Sequence, residues 1–425
     1  MAQKRDLLDD IIDIQSDWQK LSNPFGDIAD ALALDPDERP VFRPSDYKQK
    51  PTGVALRCQR CASDNPEVCS LCVDVCPSDA ISFGKNVIKV SDDCRKCGLC
   101  SAVCPTEAFQ AKILKPQAIY DKVARAASAY EECYITCTRA LKRIPKGNEI
   151  CLPCVGAISK ELWFAILADY VNVKVYLPLG ICDRCKTTTG EEVYAEQIGT
   201  AEEWAESAVG LEVSEDDLTH ELTRAYKRSQ FVSGALTSAE RLVTGVNPML
   251  AGAKAISNKL AAHTKQLDAI TKEIEGAVGA KTSANRQRVL TNHRKLVLAA
   301  LQHDPGLGAN IPFEAPICDS SLCSMCGDCV KACTTRAIDL DRAGNLTIES
   351  QYCVGCGACI KVCHEGALAM EPVDPESLIV LDKAAIQAAA AKAKAKEEAE
   401  RLKAKGKEQL SRVGDVLEHL ADGEE

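Results

Sequence analysis

The stretch CRKCGLCSAVCPTEAF, residues 94–109, places four cysteines within eleven residues, and nothing else in the chain restricts its folding as much. Thiols at this density are either bridged or hold metal. The pattern then returns. CSLCVDVCPSDAI begins at Cys69, CSMCGDCVKACTTRAI at Cys323 and CVGCGACIKVCHEGAL at Cys353. In every copy three residues separate the last cysteine from an alanine followed by an apolar residue: Ala80–Ile81, Ala108–Phe109, Ala337–Ile338 and Ala367–Leu368. The copies from Cys94, Cys323 and Cys353 have the full C-x2-C-x2-C-x3-C spacing, and 17 and 19 residues separate the paired copies.

Composition decides between the two chemistries. The chain holds 24 cysteines in 425 residues, yet its first residues, MAQKRDLLDDIIDI, mix charges in a way that a secretory signal does not. No window reaches the roughly 18 uninterrupted apolar residues of a membrane span. The best candidate, LWFAILADYVNVKVYLPLGI, carries Asp169, Asn172 and Lys174 and breaks at Pro178. A cytoplasmic protein without membrane insertion is therefore expected, in a compartment where thiols stay reduced. There, C-x-x-C spacing reads as metal ligation first. The net charge of −10 argues against nucleic acid as a ligand. Thiolate-ligated clusters would deepen that charge, so the expected partners are oxidoreductase subunits with basic docking surfaces.

The four runs resemble the bacterial two-[4Fe–4S] ferredoxins, twice over, as in a polyferredoxin. In that family the first three cysteines of a run hold one cluster and the fourth crosses to the other. The resemblance implies a first cluster on Cys69, Cys72 and Cys104 and a second on Cys94, Cys97, Cys100 and Cys76. It implies a third on Cys323, Cys326, Cys329 and Cys363 and a fourth on Cys353, Cys356, Cys359 and Cys333. Zinc is the alternative for C-x2-C pairs, but three cysteines at this spacing with a crossing fourth are not a zinc pattern. The first run lacks a cysteine three residues before Cys69. Cys61, after a seven-residue gap, or Cys58 must supply it, and Cys61 is preferred because the gap can loop out. Thr334 and His364 replace the prolines that follow the fourth cysteine elsewhere, and Cys318 reads as a spare, buried thiol.

Between the pairs, YEECYITC, NEICLPC and NVKVYLPLG read as strands, and SKELWFAILADY as a helix capped by Ser159. Strand–helix–strand order predicts a parallel sheet with Cys137, Cys154, Cys182 and Cys185 at strand carboxyl ends, where open α/β sheets bind ligands. The layout is similar to the small iron–sulfur subunit linking hydrogenase to heterodisulfide reductase, which implies a further cluster, often [2Fe–2S]. Structural zinc and a free or reversible dithiol are the other readings. Cys133 and Cys151 read as core thiols.

The expected fold class is multidomain α+β, with these parts: residues 1–52, an N-terminal helix (Leu7, Leu8, Ile11, Trp18, Leu21) and linker; 53–115, a ferredoxin-like dicluster module; 116–200, a Cys-rich α/β domain with a short parallel sheet; 201–312, a helical connector; 313–373, the second dicluster module; 374–425, an Ala/Lys/Glu-rich C-terminal helix. SANRQRVLTNHRKLVLAALQ reads as a helix whose Arg286, Arg288, Arg294 and Lys295 face solvent, an acidic partner or the acidic modules. No nucleotide fingerprint or catalytic constellation appears. The reading is an electron-transfer protein or subunit with four [4Fe–4S] clusters, relaying single electrons between a donor and a reductase or dehydrogenase, and more a carrier than an enzyme. The alternatives are a redox-regulatory or metal- and sulfur-handling protein, and a dithiol–disulfide reductase working through the middle cysteines.

Overall fold

The alanine shared by the four cysteine runs is where each run enters a two-stranded ladder. Its carbonyl accepts an amide from the partner strand in all four cases: Ser91 to Ala80, Val54 to Ala108, Glu349 to Ala337 and Asp319 to Ala367, at 2.7–2.8 Å. The preceding residue (Asp79, Glu107, Arg336 or Gly366) is left-handed, with φ between 48° and 63°, so the chain reverses there. All four alanines are buried. The computed structural model describes residues 41–223, 226, 250–341 and 343–379.

In the first module, β1 (Thr52–Gly53) pairs antiparallel with β4 (Phe109–Gln110), and β2 (Ile81–Gly84) with β3 (Val87–Val90). The middle domain is a parallel sheet of β5 (Cys133–Cys137), β6 (Glu149–Leu152), β7 (Val173–Tyr176) and β8 (Gly210–Glu212), in the order β6-β5-β7-β8. Every residue of β5 is buried, as a parallel strand covered on both faces requires. The Ser159 hydroxyl accepts from the Leu162 amide at 3.3 Å and starts the helix Lys160–Asp169, which buries Trp163, Phe164 and Ile166. In the second module, β9 (Glu314–Cys318) pairs with β12 (Leu368–Pro372), and β10 (Ile338–Leu340) with β11 (Leu346–Ile348).

The region read as a helical connector divides differently. The helix Gly190–Ala205 runs across residue 200, β8 joins the sheet, and Asn148 donates to the Thr219 carbonyl at 2.8 Å. The α/β domain therefore continues past residue 200. Two helices follow, Leu250–Val278 and Asn292–His303, packed on Pro116–Ala129 and Lys160–Asp169. Residues 283–291, read as helical, are not. Arg288 is buried and donates to the carbonyls of Val278 and Gly279 (2.6 and 3.1 Å), satisfying a helix end, and Thr291 caps the next helix through the Arg294 amide at 3.2 Å. Arg288 also pairs with Glu349 of the second module at 3.6 Å, so this side chain faces protein rather than water.

The described residues fall in one compact unit. The expected N-terminal helix, the C-terminal helix and residues 227–249 of the connector lie outside the described residues. Among those described, no helix is long and apolar enough to cross a membrane.

Candidate metal centres

Each ladder delivers a cysteine three or four residues past its closing amide. Cys58, Cys323 and Cys353 stand four residues beyond Val54, Asp319 and Glu349, and Cys94 three beyond Ser91. Gly53 pairs with Phe109 as Cys318 pairs with Leu368, so Cys58 is the register equivalent of Cys323. Cys58 is buried in one core with Cys72, Cys104, Ile88 and Phe109. Cys61 lies on the following short helix, Gln59–Ser63, and packs against the outside of that core.

The crossing pattern also appears in which thiols face each other. Burial pushes the Cys72 thiol up to about 12, and Cys104, Cys69 and Cys58 around it push the same way. Cys100 is raised by burial and by Cys97, Cys72, Cys94 and Cys76. In the second module Cys329 is raised to about 11 by burial beside Cys326, Cys363 and Cys323. Cys359 rises to about 12 beside Cys356, Cys353 and Cys333. Each fourth cysteine thus faces the other run of its own module. Cys318, read as a spare, is raised by burial and by the Cys323 thiol beside it.

Backbone N–H groups are aimed at the sulfurs. Ala80 donates to Cys76 at 3.3 Å, Lys96 to Cys94 at 3.4 Å and Ala108 to Cys104 at 3.2 Å. Such donors favour a thiolate over a thiol. The short helices Leu99–Ala102, Asp328–Ala332 and Ala358–Lys361 begin after left-handed Gly98, Gly327 and Gly357. At Gly98 a Cβ would also stand 2.4 Å from Leu114 and 2.9 Å from Ala157, so glycine is required twice over.

The middle cysteines are held similarly. Cys137 ends β5, with the Arg139 and Ala140 amides directed at its sulfur, and Cys154 follows β6 with the Gly156 amide. Arg139 donates to the Ile181 carbonyl at 3.0 Å and fixes the loop that carries Cys182 and Cys185. The Thr187 amide reaches Cys185 at 3.5 Å. Burial pushes Cys154 up to about 12, with Cys137, Cys97 and Cys185 adding to it, and Cys182 up to about 11. Gly190 opens the 16-residue helix Gly190–Ala205, and a Cβ there would lie 3.0 Å from the Cys154 sulfur. Cys97 beside Cys154 brings this set against the first module, and Thr189 donates to the Val75 carbonyl, next to Cys76, at 2.7 Å. Cys133 is fully buried, while Cys151 is partly exposed and not a sealed core thiol.

Among the described residues, no three His, Cys, Asp or Glu side chains stand where they could hold a metal ion, in the cysteine runs or in the middle set. The cysteine sets are all-thiol, several of them reached by backbone N–H groups and most of them at least partly buried, which is the kind of environment that iron–sulfur clusters take. The comparisons with known proteins point the same way. Residues 87–110 match the model of the 4Fe-4S binding domain, and residues 322–394 match that of the 4Fe-4S dicluster domain. Neither a curated protein nor a solved structure matches the chain. The chain therefore carries two ferredoxin-type 4Fe–4S domains, one in each half.

Proposed function

We propose that the protein is an electron carrier with four [4Fe–4S] clusters and a further thiol-ligated centre in the middle domain. The observation that carries this reading is the fourfold ladder-and-cysteine geometry, in which Cys58 has the register position that Cys323 has in the second module. Cys58 with Cys69, Cys72 and Cys104 would then hold one cluster, and Cys76, Cys94, Cys97 and Cys100 the second. Cys323, Cys326, Cys329 and Cys363 would hold the third, and Cys333, Cys353, Cys356 and Cys359 the fourth. Cys58 is proposed here in place of Cys61 because its register position matches that of Cys323, whereas Cys61 lies within the inserted stretch. When bound, such clusters store and release single electrons.

The protein's own part is to hold the thiols at fixed separation, direct N–H groups at sulfur and exclude water. Cys137, Cys154, Cys182 and Cys185 have similar surroundings, and their contact with the first module through Cys97 favours an iron–sulfur centre there over a structural zinc. The partners we expect are soluble oxidoreductase subunits with basic surfaces, met in the cytoplasm. Iron and sulfide analysis of anaerobically reconstituted protein tests the reading. About sixteen irons are expected from four clusters, with two or four more if the middle site is loaded. Saturation well below twelve, with zinc as the main metal, would overturn it.

A further inference from the structure

The two modules differ at one point in an otherwise shared plan. Ten residues separate Cys58 from Cys69, where two separate Cys323 from Cys326. The ten intervening residues fold as the helix Gln59–Ser63, a left-handed Asp64 and the short 3-10 turn Pro66–Val68, capped by Asn65 through the Glu67 amide at 2.9 Å. Asp64, Pro66 and Glu67 are exposed, but the two ends of the stretch, Gln59 and Val68, are buried. The helix packs on Asp328–Ala332 of the second module. Val68, 1% exposed, forms a core with Ala332, Ala358 and Val362, against which Cys329 and Cys356 pack. Lys361 donates to the Val68 carbonyl at 3.0 Å. By contrast, the equivalent two-residue loop of the second module is exposed, Met325 at 59%.

We propose that residues 59–68 are the junction through which the two modules exchange electrons, making one relay of what would otherwise be two. This rests on the four-cluster reading above. Val68 is bonded to Cys69 on one side, and on the other it shares with Ala332, Ala358 and Val362 a core against which Cys329 and Cys356, one cysteine from each run of the second module, are packed. Electron exchange falls steeply with separation, so a dry apolar contact one residue from a ligand is where exchange between modules should occur. In the step, a reduced cluster of one module loses one electron and is oxidised, and an oxidised cluster of the other gains it. No bond is made or broken. Val68, Ala332, Ala358 and Val362 carry no titratable group, so no proton has to move across the contact.

The test compares the native chain with Val68→Asp, Ala332→Glu and a deletion of eight residues that leaves two between Cys58 and Cys69. Iron content and the EPR signals of each protein are recorded first. Each is then given less than one electron by a radiolytic pulse, and its redistribution between modules is followed by freeze-quench EPR. With clusters intact, exchange between modules should slow by about tenfold or more, because the partners are no longer held in contact. Exchange at the native rate in any variant shown to have lost the contact would overturn the junction. If the deletion fails to load its first cluster, the two point variants, which alter no ligand, decide. Fewer than four clusters in the native chain would instead defeat the four-cluster reading.

Discussion

The two dicluster modules share a ladder plan, a crossing arrangement of cysteines and the left-handed turn before each alanine, yet they sit in different surroundings. The first is enclosed on two sides, with Leu56 left 83% exposed. Its Leu99–Ala102 helix packs on the 155–157 turn of the middle domain, and its insertion packs on the second module. The second leaves its outer run open, with Cys326 exposed, Leu322 at 53% and Met325 at 59% exposure. One sequence motif thus stands in two different settings, and what differs is the chain outside the motif. The substitution of the prolines is consistent with this. Pro77 and Pro105 fix turns in the enclosed module, whereas buried Thr334 and Thr335 are held from outside, the Thr335 carbonyl accepting the Val289 amide at 2.9 Å.

Removing the iron should affect the comparison most. Cysteines line the cores of both modules, so cluster binding is also folding energy, and both should become protease-sensitive in the apo protein. The second should be cut first, because Cys326 and Met325 of its outer run are exposed, while the parallel sheet survives with its buried Trp163, Phe164 and Tyr134. Limited proteolysis of apo and holo protein reads this, and identical cleavage patterns would contradict it.

Next in size are the ligand variants. Cys58→Ala and Cys323→Ala should each lose between about one and four irons, as a cluster is degraded or lost. Cys61→Ala and Cys318→Ala should keep the full complement. Iron analysis with EPR separates the outcomes, and a Cys61-dependent, Cys58-independent cluster would reverse the assignment.

A smaller effect is expected from Arg294. Its side chain is partly buried, donates to the Ser350 carbonyl at 3.1 Å, lies 4.7 Å over the Phe313 ring and brings its positive charge close to Cys353. A cation there favours the reduced, more negative state of the cluster proposed on Cys353. Arg294→Gln should therefore lower one midpoint potential in the second module by on the order of tens of millivolts, with Arg294→Lys closer to native, for one charge in a medium of effective dielectric near 20. The first module should be unaffected. Redox titration followed by EPR would show equal shifts in both modules if the arginine acts only through stability.

The smallest effect concerns the helices between the modules. His303 faces Asp169 at 3.5 Å, and the hydrogen bond to that carboxylate raises its pKa. A raised histidine pKa stabilises the fold fully below about pH 6.5, and the contribution is lost as pH rises through the folded value. His303 is 54% exposed, so solvent screening keeps the contribution below about 1 kcal/mol. His303→Ala should flatten the slope of stability between about pH 6 and 8 without changing iron content, as chemical denaturation across that range would show.

The sequence by itself determined the local chemistry. Ligand spacing is set over a few residues, so C-x2-C-x2-C-x3-C could be read directly, as could the Ser159 cap and the strands that carry Cys137 and Cys154, whose apolar runs and turn residues are local signals. Tertiary structure decided what depends on distant partners. Only the pairing of Gly53 with Phe109 put Cys58 in register with Cys323, because a strand's register is set by its partner rather than by its own residues. Only the packed molecule turned Arg288 from an apparently solvated helix face to the carbonyls of Val278 and Gly279, where an unsatisfied helix end outweighs local helix preference. The insertion after Cys58 shows the same limit. The seven residues after Cys61 read as a gap able to loop out, and they become a contact only because Ala332, Ala358 and Val362, far along the chain, offer Val68 an apolar surface to bury against.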